Sequence, residues 1–184
     1  MRHLRELALT VCLFCVIPAA AAADTRAVND AALTAKVKSA LATDSAVKAG
    51  DIEVETRDGI VQLSGFVDSD NAITAAILRA RSVNGVAEVR NDLSVRNDDR
   101  PAQQPVSDTV IASRVRSSLG KAQLDDESDV NVEVSAGVVQ LSGFVLNIEE
   151  KARAGDAASA VPGVRDVENH IALTKEYERS PPQE

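Results

Sequence analysis

From residue 30 onward the apolar positions change period, and 78 residues later they change again in the same order. Leu33, Val37 and Leu41 recur every fourth residue with Lys36 and Lys38 off the stripe, which predicts a helix starting near Asp30, a good N-cap before Ala31-Ala32-Leu33. From Asp51 the period falls to two. Ile52, Val54 and Thr56 alternate with Asp51, Glu53, Glu55 and Arg57, the pattern of a half-buried strand. Asp58-Gly59 then suits a tight hairpin, because both residues tolerate positive φ. The return strand sets Val61, Leu63, Gly65 and Val67 on one face and Ile60, Gln62, Ser64 and Phe66 on the other. An N-cap cluster, Asp68-Ser69-Asp70-Asn71, opens a second helix through Ile73, Ile77 and Ala80 that stops at Asn84-Gly85. A last strand alternates Val89, Asn91, Leu93 and Val95.

The second series begins at Ser107 or Asp108 as cap, with Ile111, Val115 and Leu119 as stripe. Gly59-Ile60-Val61-Gln62-Leu63-Ser64-Gly65-Phe66-Val67 returns as Gly137-Val138-Val139-Gln140-Leu141-Ser142-Gly143-Phe144-Val145. Its hairpin reads Ser135-Ala136-Gly137. Alanine is a poor residue for positive φ, so a type II turn with Gly137 at its third position is expected. Asn147 followed by Glu150 resembles a capping box, and the second helix of this copy carries Gly155 internally, at a cost of about 1 kcal/mol against alanine. It stops at Pro162-Gly163, before Val167, Asn169, Ile171 and Leu173. A unit this long is no solenoid repeat but a small self-contained module.

The fold class expected is therefore α+β: two tandem αββαβ domains, residues 30–97 and 108–175, each a small three-stranded mixed sheet with two helices on one face. A polar, proline-bearing linker (98–107) joins them and a polar tail (176–184) follows. Gly65 and Gly143 stand where core side chains would be, so a helix is expected to cross directly above each. Glu53, Glu55, Gln62 and Ser64 are expected to face water. Ile60, Phe66, Val138 and Phe144 share that outward face and are where the domains would touch.

Ahead of all this, Arg2 and Arg5 flank an apolar run from Leu7 to Ile17 that ends in Ala21-Ala22-Ala23, the layout of a cleaved secretory signal peptide over residues 1–23. Both cysteines, Cys12 and Cys15, lie inside it, so the exported chain would have no thiol for a disulfide, a nucleophile or a metal. Removing the leader makes the net charge of −8 one unit more negative. An acidic surface with few aromatic residues argues against nucleic acid as a partner. His170, near Asp166 and Glu168, reads as an outward, solvated histidine rather than a metal ligand. Asp125-Asp126-Glu127-Ser128-Asp129 lacks the spaced ligands and central glycine of a calcium loop. No phosphate loop, dinucleotide fingerprint or nucleophile with a base is present, so the expectation is no enzyme and no cofactor.

The strand Gly-(Ile/Val)-Val-Gln-Leu-Ser-Gly-Phe-Val, followed by a helix and then Val83-Asn84-Gly85-Val86 or Val161-Pro162-Gly163-Val164, resembles the BON-domain family over both repeats. That resemblance implies Gly65, Gly143, Gly85 and Gly163 as structural motif positions. It also implies a non-catalytic periplasmic envelope protein associated with stress tolerance, including osmotic stress. One expected partner is the phospholipid surface of a membrane, contacted weakly and peripherally through Lys36, Lys38, Arg114, Arg116 and Lys121. The alternative is a soluble periplasmic chaperone or interaction module that holds protein clients through Phe66, Phe144, Leu146 and Ile148. The oligomeric state stays open.

Overall fold

The computed structural model describes residues 20–96, 106–126 and 128–174. Most of the expected leader, linker and tail lies outside the described residues. The first repeat contains α1 (Ala20–Ala42), a 3-10 turn (Ala49–Asp51), β1 (Glu53–Arg57), β2 (Ile60–Val67), α2 (Asp70–Arg81) and β3 (Glu88–Val95). The second contains α3 (Asp108–Leu119), β4 (Asp129–Ser135), β5 (Val138–Val145), α4 (Ile148–Ser159), β6 (Asp166–Asn169) and β7 (Ala172–Leu173). In each repeat the middle strand pairs antiparallel with the strand before it and parallel with the strand after the crossover helix. β6 and β7 are two pieces of one edge strand, interrupted at His170-Ile171.

Each repeat closes its own core. Leu33, Val37 and Leu41 of α1 and Ala72, Ala76 and Ala80 of α2 pack on Val54, Val61, Leu63 and Val67. Ile111, Val115 and Leu119 with Ala154 and Ala158 do the same on Val132, Val139, Leu141 and Val145. The second helices bury alanines, while Ile73 and Ile77 are only half-buried. Small residues there let the helix lie close to the sheet. Gly155 of α4 serves a similar need: a Cβ there would stand 2.9 Å from the Asn169 amide, which donates to the Lys151 carbonyl at 2.9 Å.

Three expectations are corrected. The first helix does not begin at Asp30 but at Ala20, so Asp30 lies within α1 and does not cap it. Its carboxylate instead accepts the Asp58 and Gly59 N–H groups at 2.8 and 3.1 Å, capping the β1–β2 turn. The second copy repeats this: Asp108 accepts the Ala136 and Gly137 N–H groups at 3.1 and 2.9 Å, while the N-cap Ser107 makes no side-chain cap bond. That carboxylate explains the second correction. Ala136 has φ +50° and Gly137 φ +81°, matching Asp58 and Gly59 at +53° and +75°, so both hairpins use positive φ at both central positions and neither is type II. Left-handed geometry costs alanine about 1–2 kcal/mol, offset by two charge-assisted hydrogen bonds.

The third concerns Gly65 and Gly143, above which no helix crosses. What comes close is the backbone leading into the neighbouring strand: a Cβ would lie 2.3 Å from the Asp51 carbonyl oxygen at Gly65 and 2.0 Å from that of Asp129 at Gly143. Both glycines have positive φ, +123° and +112°. Gly65→Ala should therefore destabilise the full chain by about 2–4 kcal/mol, since both a backbone collision and an unfavourable φ are imposed. Gly50→Ala, with nothing within 4 Å of its added methyl, should stay within about 0.5 kcal/mol of wild type. Urea unfolding of the two variants checks this, and equal midpoints would contradict it.

Candidate functional site

Helices cover one face of each sheet, and the other faces meet. The molecule is thus layered helix, sheet, sheet, helix, with β2 against β5 at its centre. Gln62 and Ser64 do not face water, as the alternation predicts; they are 1% and 2% exposed, as are Gln140 and Ser142. Buried polar groups must find partners, and here each copy supplies the other's. The hydroxyls of Ser64 and Ser142 hydrogen-bond at 2.7 Å. The Gly65 N–H donates to Gln140 Oε1 at 2.6 Å, and the Gly143 N–H donates to Gln62 Oε1 at 2.8 Å. The same amides donate from Nε2 to main-chain carbonyls, Gln62 to His170 and Gln140 to Asp92, both at 2.9 Å. Each of these bonds has a mate with the copies exchanged; Gln62 Nε2 also donates to the Asp92 carboxylate at 2.7 Å, a bond without one. The glycines therefore act twice, because the turned backbone that brings them near Asp51 and Asp129 also presents their N–H groups across the seam.

Around this centre the seam is mixed. Phe66 and Phe144, 8% and 4% exposed, belong to neither repeat's own core, and the Arg57 guanidinium sits 5.7 Å from the Phe144 ring centroid. Asn131 donates to Glu55 at 3.0 Å, and Ser94 to Glu168 at 3.1 Å. His170 is not simply solvated: Nδ1 lies 3.4 Å from Asp92 of the other copy and Nε2 lies 3.6 Å from Glu168, at 36% side-chain exposure. Burial, then the Asp129 carboxylate, raises the pKa of Glu55 despite the Asn131 bond. Burial also raises Glu133, helped by Glu53 and Asp51 of the other copy and opposed by Arg116. Among the described residues no three His, Cys, Asp or Glu side chains converge to hold a metal ion.

The residues expected to contact lipid divide between the two outer layers, Lys36 and Lys38 on α1, Arg114 and Arg116 on α3 and Lys121 just beyond it. Lys38 is paired with Glu53 at 2.8 Å. Arg114 and Arg116 each donate to a carbonyl, Pro162 and Val132. The Lys36 and Lys121 side chains are exposed and have no ion-pair or hydrogen-bond partner among the described residues. Of the residues expected to hold clients, Phe66 and Phe144 are enclosed in the seam, Leu146 is half-buried, and Ile148 is 54% exposed. Ile148 borders a groove of roughly 430 Å³, lined by Arg90 of the first copy and Lys151, Ile171 and Leu173 of the second. Gly85 and Gly163, at φ +105° and +103°, lie close over Leu33 and Ile111. No described helix is long and apolar enough to cross a membrane.

The BON domain profile matches residues 29–97 and 107–175. The chain is 38% identical to osmotically-inducible protein Y of Escherichia coli over 78% of its own length and 72% of that protein. It is 32% identical to outer membrane lipoprotein DolP of Haemophilus influenzae over 76% of its length and 72% of that protein. Among solved structures, the C-terminal domain of the Chlamydia trachomatis type III secretion protein CdsD aligns with a TM-score of 0.31 at 15% identity, over 79% of this chain and 66% of that one.

Two measurements probe the seam. Gln140→Ala leaves the Gly65 N–H and the Asp92 carbonyl without their partner, at about 1–3 kcal/mol for each group that stays buried. Calorimetry should then resolve two transitions where the wild type shows one, and a single unshifted transition would contradict the coupling. The second is pH. Groups with raised folded pKa values bind protons more readily in the native state, so their contribution to stability is lost as pH rises through those values. Stability should therefore be greater near pH 5 than at pH 7, and Glu55→Gln with Glu133→Gln should flatten that difference in melting temperature.

Proposed function

The chain belongs to the BON domain family, and from that premise we propose that it is a non-enzymatic periplasmic envelope-stress protein whose outer α3 layer rests on anionic phospholipid surfaces. The observation that carries this reading is the seam. Because the two sheets consume each other's free faces, the surfaces left for partners are the helical layers, and they point away from one another. A flat membrane can meet only one. The α3 side offers Arg114, Arg116 and Lys121, whereas the α1 side offers Lys36 and a Lys38 already neutralised by Glu53. The charged-then-apolar run over residues 1–23, which reads as an export leader, supports the compartment this reading requires. A relative named for osmotic induction and another named as an outer membrane lipoprotein are consistent with it.

Contact of this kind is electrostatic and shallow. Each cation near an anionic surface contributes about 1 kcal/mol, and nothing on α3 is built to insert: Val110, at 41% exposure, is its one large exposed apolar side chain among the described residues. The alternative reading, a chaperone for periplasmic clients, retains the groove beside Ile148 but loses Phe66 and Phe144 to the seam.

Sedimentation with vesicles containing phosphatidylglycerol decides between them. Binding should fall steeply between 50 and 200 mM salt, by the screening expected of exposed charges. Arg114→Glu with Lys121→Glu should weaken it about tenfold or more, and Lys36→Glu should leave it nearly unchanged. Salt-independent binding, or equal loss with Lys36→Glu, would overturn the α3 assignment. Suppression of client aggregation that is lost with Ile148→Ser, in the absence of vesicle binding, would favour the chaperone.

A further inference from the structure

We infer that the seam face is a recognition surface for its own kind, so that two copies of this chain exchange repeats, the first repeat of each docking on the second repeat of the other. The contacts at its centre are isologous. Gly65 with Gln140 is mirrored by Gly143 with Gln62, Gln62 with the residue-170 carbonyl is mirrored by Gln140 with the residue-92 carbonyl, and Ser64 meets Ser142 on the axis. Side chains on the two sides are identical at these positions, and the remaining groups are main chain, which is alike in every copy. Nothing at the centre distinguishes a repeat of the same chain from one of another.

Exchange requires no unfolding. Each repeat has its own core, and the two sheets share no strand. What favours the closed monomer is proximity: a short linker, polar and proline-bearing in sequence, holds the two faces at an effective concentration on the order of millimolar, so exchange rises as protein concentration approaches that value. Dimers formed this way present two helical layers of each kind, where the monomer presents one.

The test uses the full chain with Cys12→Ser and Cys15→Ser, so that no other thiol is present. Ser64→Cys with Ser142→Cys in one chain should close a disulfide within that chain, since the two hydroxyls already lie 2.7 Å apart. Failure to close would overturn the seam geometry and the inference with it. Chains carrying Ser64→Cys alone and Ser142→Cys alone are then mixed, held at about 1 mM, and oxidised. The expected product is a covalent dimer joining positions 64 and 142, mapped by mass spectrometry. It should appear in several-fold excess over dimers from either variant alone, with a yield that falls on dilution before oxidation. A mixture that cross-links no better than its separate components would overturn the exchange.

Discussion

The hydrogen bond from a glycine N–H in one repeat to a glutamine carbonyl in the other, made twice, is the constraint on which the architecture turns. A strand-interior glycine with positive φ keeps its place in the pairing register while its N–H turns out of the sheet. In an isolated repeat that donor would face water. Here it is buried, and its acceptor is the glutamine of the same motif in the other copy. Glutamine is long enough to bridge the sheets and can both accept from the glycine and donate to a carbonyl. The stacking of the two sheets and the outward position of the four described α-helices follow from satisfying those groups.

A polar seam of this kind gives little net stability for each bond but is costly to open halfway, because every donor left behind is buried without water. The cost grows toward its edges, where Glu55, half-buried, and the more exposed Glu133 lie near carboxylates of the other copy. Arg57 over Phe144, and Asn131 on Glu55, offset part of that repulsion. The seam is therefore specific rather than strong. It accepts one register, in which the two motifs cross at Ser64 and Ser142.

Periodicity made the five-element repeat legible, because each core stripe is a run of apolar residues at a fixed spacing: Leu33, Val37 and Leu41 are buried as that spacing demands. It misled wherever a polar residue had a partner distant in sequence. Asp30 has the identity of an N-cap, yet its acceptors serve a turn nearly thirty residues away, and Ala136 adopts positive φ because Asp108 holds it there. Gln62 and Ser64 alternate with core residues and so read as solvent-facing; no property of one strand says that a second sheet covers it. One signal was present in the chain itself. Outward positions elsewhere changed after duplication, as with Glu53 and Asn131 or Arg57 and Ser135, while Gln62, Ser64 and Phe66 reappear unaltered as Gln140, Ser142 and Phe144. Outward residues kept identical in both halves are those the halves use on each other.

The same comparison locates where function can differ. The paired groups at the centre of the seam match in the two copies, because the contact there is reciprocal and a change on one side leaves a buried group unpaired on the other; its edges, where Ser94 meets Glu168 and His170 meets Asp92, do not match. The outer helices carry no such obligation. Leu78 of α2 stands opposite Asp156 of α4 in the repeat alignment, Asp70 opposite Ile148, and Thr43 opposite Lys121. Each outer layer carries an exposed apolar group where the other has a carboxylate, Leu78 in the first and Ile148 in the second. The duplicated motif that marks the family is thus an internal joint, and it leaves the two helical faces as the surfaces on which the copies are free to differ.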